Sequence, residues 1–64
     1  MEKTYDVRFW NKANECIRIG GKFVHTFDTL DDAMDAANAL VKEAHKLGAV
    51  EMDINDELYE IKED

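Results

Sequence analysis

The sequence predicts an α+β domain, a small antiparallel sheet in the order β-β-β-α-β-β packed on one amphipathic helix. Three observations carry this. Residues 27–49, FDTLDDAMDAANALVKEAHKLGA, repeat apolar residues at helical spacing between a capping start and a glycine stop. Three short segments before this stretch and two after it alternate apolar and polar residues with the two-residue period of strands. A chain of 64 residues, 45% hydrophobic, suffices for one thin core, so residues 1–64 are read as a single domain.

The first strand is TYDVRFW, with Tyr5, Val7 and Phe9 on one face and Asp6, Arg8 and Trp10 on the other. NKAN, residues 11–14, is a polar turn, and ECIRI is the second strand. Gly20-Gly21 supplies the positive φ angles of a tight hairpin turn, and KFVHTF is the third strand. With the two glycines as the loop, the expected pairs are Ile17 with Val24, Arg18 with Phe23, and Cys16 with His25. This register places Ile17, Ile19 and Val24 on one face and Phe23, His25 and Phe27 on the other. A single helix cannot cover both. Either a bulge or slipped register turns Phe23 inward, or the second face stays open and partly apolar.

The helix is predicted over 29–47, capped by Asp28 or Thr29. Ala33, Ala37, Leu40, Ala44 and Leu47 share one side, widened by Leu30, Met34 and Val41. Asp31, Asp32 and Asp35 sit near the positive end of the helix dipole, and Lys42, His45 and Lys46 near the negative end. Gly48 fits the left-handed residue that closes a helix. After it, AVEMDI and ELYEI form a hairpin around Asn55-Asp56, with Met52 opposite Tyr59 and Val50 opposite Ile61. The other face of this hairpin carries Glu51, Asp53, Leu58 and Glu60.

Charge narrows the function classes. The net charge is −7, and it is uneven. Residues 1–27 carry a net +2, residues 28–50 a net −3 and residues 51–64 a net −6. Such a field repels nucleic acid and anionic lipid and attracts basic surfaces. No apolar run approaches the roughly 20 residues of a membrane span, and MEKTYDVRFW lacks the apolar centre of a signal peptide. With one cysteine, Cys16, a reducing, cytoplasmic setting inside a host cell is expected.

Little in the chain suggests catalysis. Cys16 and His25 oppose each other only in the Gly-Gly register, and no third group orients them. No histidine or cysteine has a partner at ligand spacing. DINDELYE lacks the glycine and final glutamate of a calcium loop. The expectation is therefore no enzyme, no cofactor and no metal. A basic protein partner, such as a nucleic-acid-binding complex, is expected to meet Asp31, Asp32, Asp35, Asp53, Asp56, Glu57 and Glu60. Two alternatives stand beside this. One is a homodimer closing over Trp10, Phe23 and Phe27. The other is a nucleic-acid binder using Arg8, Trp10 and Arg18, although direct nucleic-acid contact is disfavoured by the net charge.

Residues 27–37, FDTLDDAMDAA, resemble the F-D-T-x-x-x-A-x-x-A-A helix start of short uncharacterised bacterial and phage domains. TLDDAMDAA also looks like the helix of small acidic phage inhibitors of host RNA polymerase, although the proline-containing segments of those inhibitors are missing here. Size and charge are similar in type to anti-CRISPR proteins. The resemblance implies a small sheet packed on one helix and a small phage or mobile-element protein that binds and disables a host factor. The clustered acids add the expectation that it presents carboxylates where phosphates would lie on a nucleic-acid-handling protein.

Overall fold

The computed structural model describes residues 3–61. Strand β1 spans Tyr5–Asn11, β2 His25–Phe27, helix α1 Leu30–Lys46, β3 Ala49–Ile54 and β4 Glu57–Glu60. The strands form a four-stranded antiparallel sheet in the order β2-β1-β3-β4. β2 and β3 both run antiparallel to β1, one on each side of it. They are therefore parallel to each other, and α1 carries the chain across β1 as a split β-α-β unit. The α+β class with one helix on an antiparallel sheet is as the periodicities predict.

Alternation along β1 buries Val7 and Phe9 under α1 and turns Asp6, Arg8 and Trp10 to the face without a helix. The core is completed by Ile19, Met52, Ile54 and Ala49, together with Ala33, Ala37 and Ala44 of the helix. Alanine at these contacts lets the helix backbone lie close to the sheet. Leu40 and Val41 are half-buried beside them. Leu47, Leu30 and Met34 are exposed, so the buried stripe is narrower than the sequence suggests. The reason is positional. α1 contacts β1, β2 and β3 but not β4, so Leu30 and Met34 on that flank stay uncovered, while Leu47 is the C-cap at the far end of the helix.

Thr29 is the N-cap. Its backbone is extended, and its hydroxyl accepts the Asp32 N–H at 3.1 Å. At the other end the Leu47 N–H reaches the Glu43 and Ala44 carbonyls, each at 3.1 Å, and Gly48 adopts φ +96°. The hairpin of β3 and β4 has the expected register. Met52 faces Tyr59, and the Ile61 N–H donates to the Val50 carbonyl at 3.0 Å. Asn55 and Asp56 supply the two positive φ angles of its turn.

The first half of the chain departs from expectation, with four strands in place of five. The Gly-Gly turn forms, closed by reciprocal Ile19–Lys22 bonds of 2.9 and 3.1 Å. The hairpin does not extend beyond it. Cys16 bridges Trp10, the Ile17 N–H donates to Phe9 O at 2.8 Å, and His25 pairs with Val7. None of the expected pairs Ile17–Val24, Arg18–Phe23 and Cys16–His25 is made. Residues 15–17 line the second half of one β1 edge, and β2 occupies the first half. Breaking the hairpin resolves the conflict of two apolar faces. Ile19 enters the core, while Phe23, 52% exposed, and Val24 remain outside.

Two substitutions test this packing by urea denaturation. Thr29→Ala removes the cap and is expected to cost about 1 kcal/mol. Ala37→Leu forces α1 off the sheet and is expected to cost about 1–3 kcal/mol. Equal stability of wild type and Ala37→Leu would show that the helix seat is not tight.

Candidate functional site

The topology gathers several exposed acids at one end of the molecule. α1 starts where β2 ends, beside the beginning of β1, because Phe27 pairs with Tyr5. The β3–β4 turn lies at the same end. Asn55 accepts the Asp6 N–H on Oδ1 at 2.9 Å, donates from Nδ2 to Thr4 O at 3.0 Å, and donates its own N–H to Asp6 O at 3.1 Å. Asn55 thus staples the turn to β1. A cleft of about 230 Å³ joins these parts, lined by Lys3, Tyr5, Leu30, Ile54, Asn55 and Glu57.

The acidic pole follows from this arrangement. Asp28, Asp31, Asp32 and Asp35, all exposed, occupy the residue before the cap and the first two turns of α1. Asp56 and Glu57, also exposed, project from the turn and the start of β4. The positive end of the helix dipole offsets part of their mutual repulsion. Lys3 also lies at this end, its Nζ 5.4 Å from the Tyr5 ring centre. Lys42 and Lys46 lie in the second half of the helix, Lys12 in the turn after β1, and Arg18 and Lys22 around the Gly-Gly turn.

The seven carboxylates expected to meet a partner therefore separate. Asp31, Asp32, Asp35, Asp56 and Glu57 lie at the same end of the fold. Glu60 lies three residues along β4, about 10 Å from Glu57, opposite Glu51. Asp53 is excluded from any contact surface, being only 3% exposed. Its Oδ1 accepts the Trp10 indole N–H at 2.9 Å, and its Oδ2 accepts the Asp56 N–H at 3.2 Å. Asp53 is a structural acid that ties β1 to the β3–β4 turn. Sequence reasoning missed both this role and that of Asn55, because each depends on β3 lying beside β1.

The aromatic trio expected at a dimer face is not assembled either. Trp10 lies on the helix-free sheet face, Phe27 on the helix side packed against the core, and Phe23 in the loop before β2. Arg8 and Trp10 do share the helix-free face, and the buried Arg8 Nε has no hydrogen-bond partner. Their neighbours across the ladders are Asp53, Glu51 and Glu60. A phosphate approaching Arg8 would meet these carboxylates, which opposes nucleic-acid stacking there.

Cys16 Sγ lies 3.6 Å from the Phe23 carbonyl, while His25 is on β2. Among the described residues, no group of three or more histidines, cysteines or acids is placed to hold a metal ion, and no helix is long and apolar enough to cross a membrane. Tyr59 donates to Glu57 Oε2 at 3.0 Å, and this bond, reinforced by the Glu57 charge, holds the phenol above its usual pKa. No family model, curated protein or solved structure matches the sequence.

Trp10→Phe leaves a buried Asp53 oxygen without its donor and is expected to destabilise by about 1–3 kcal/mol. The loss should be non-additive with Asp53→Ala in a double-mutant cycle. Additivity would show that the bond contributes nothing. Glu57→Gln should lower the Tyr59 ionisation midpoint, read from phenolate absorbance during alkaline titration. An unmoved midpoint would contradict the Tyr59–Glu57 contact.

Proposed function

We propose that the protein is a non-enzymatic acidic binder that docks its acidic pole on a basic surface of a nucleic-acid-handling protein. The observation that carries this is the convergence of Asp28, Asp31, Asp32 and Asp35 with Asp56 and Glu57 at one end of the fold. These residues come from two elements far apart in sequence. Capping and the helix dipole favour the first-turn acids, the positive φ of Asp56 suits a turn aspartate, and Glu57 accepts from Tyr59, but none of these local roles requires the six acids to share one end of the fold. Clustered like charges reduce stability, so their gathering at one end fits a role outside the fold.

Carboxylates held on a compact scaffold can occupy positions that phosphates take on a basic channel. Inhibition of such a protein, of the phage host-takeover or anti-CRISPR kind, is the activity this geometry serves best. Electrostatic steering would speed association and make it salt-sensitive.

The test is affinity capture from a host lysate at low and high salt, comparing the wild type with a variant carrying Asp31→Asn, Asp32→Asn, Asp35→Asn, Asp56→Asn and Glu57→Gln. The wild type is expected to retain basic nucleic-acid-binding proteins at low salt and to release them at high salt. The variant should lose them at both. Partners held equally by both proteins would overturn the proposal.

A further inference from the structure

β4 is an edge strand, and its outer side differs from the rest of the sheet. The Ile61 N–H bond to Val50 O places Ile61 in a hydrogen-bonded pair with β3. By alternation, the backbone groups of Glu57 and Tyr59 also turn toward β3. The N–H and C=O of Leu58 and Glu60 turn away from the sheet, and among the described residues no strand pairs with them.

The strand is also without a roof, since α1 does not reach it. Between the helix flank and β4 lies an open apolar strip in which Leu30 is 46% exposed, Met34 38% and Tyr59 37%. On the opposite face of β4, Leu58 is 65% exposed. Edges are commonly blunted by lysine, proline or a bulge. In Glu57–Glu60, ELYE, there is no lysine or proline, and a carboxylate stands at each end.

Those carboxylates select the occupant. A second copy of the chain would bring another β4 with the same two carboxylates, on a molecule of net charge −7, to this edge, and like charges brought together are unfavourable. A strand bearing lysine or arginine would meet complementary charge at both ends. We propose that β4 receives an extended basic segment of the partner as a fifth strand. Its backbone would pair with Leu58 and Glu60, its cations with Glu57 and Glu60, and an aliphatic side chain would lie between Leu30, Met34 and Tyr59. This strand-addition mode takes affinity from main-chain bonds and specificity from alternate side chains. The proposal rests on the acidic-binder reading for the character of the partner; it shares Glu57 with the acidic pole and adds the outward backbone of Leu58 and Glu60.

The experiment uses a short synthetic peptide alternating lysine and valine, with binding and amide exchange followed by NMR on the wild-type protein. The Leu58 and Glu60 amides are expected to gain protection. A peptide N-methylated at alternate residues, which cannot donate along one edge, should bind about tenfold more weakly. Glu60→Pro removes an outward donor at a position where an edge strand tolerates proline, and it should bind more weakly than the charge control Glu60→Gln. Two results would overturn the inference: peptide binding without protection at Leu58 and Glu60, or protection there without peptide together with a dimer in sedimentation. Binding confined to Asp31, Asp32, Asp35 and Asp56 would do the same while leaving the acidic-binder reading intact. If a variant neutralised only at Asp31, Asp32, Asp35 and Asp56 leaves lysate capture unchanged while the peptide still protects Leu58 and Glu60, the acidic-binder reading falls and the strand site stands.

Discussion

Close seating of α1 over the middle of the sheet sets the terms for the whole molecule. Ala33, Ala37 and Ala44 are fully buried against a layer that includes Val7, Phe9, Met52 and Ile54. Small side chains bring the helix near enough to exclude water from the larger residues beneath it, and that burial is the main favourable term in so small a fold. The same closeness narrows what one helix can shelter. Three strands lie under it and a fourth does not, so apolar residues on the flank of α1 and on β4 remain at the surface.

β1 is the other half of this constraint. It pairs with β3 along one edge and divides its other edge between β2 and residues 15–17. A regular hairpin at the glycines would have left Phe9 O without the Ile17 N–H and would have carried large apolar groups on a second face. The chain keeps the two-residue turn, with Gly20 at φ +61° and Gly21 at φ +82°, and gives up the ladder beyond it. Ile19 thereby reaches the core.

The acids fall into distinct environments although composition treats them alike. Asp53 is buried, and its two oxygens accept from an indole and a backbone amide, so its charge is used internally. Glu57 holds the Tyr59 hydroxyl at the surface. Among the described residues, Asp31, Asp32, Asp35 and Asp56 accept no side-chain hydrogen bond, and they share one end of the fold with Glu57. An acidic surface built this way belongs to a pole, held by Asn55 stapling the turn to β1, and not to a sheet face.

Local rules were sufficient for the elements whose causes are local. The start of α1 at Thr29, its end at Gly48, the β3–β4 register around Asn55-Asp56 and the inward set of β1 all follow from capping, φ preference and alternation within a few residues. Placement of β3 beside β1, the fate of residues 15–24, the burial of Asp53 and the separation of Trp10 from Phe27 were decided only in the tertiary structure. Each depends on which strand wins an edge of β1, a competition between segments up to about fifty residues apart. No periodicity within either segment encodes its outcome.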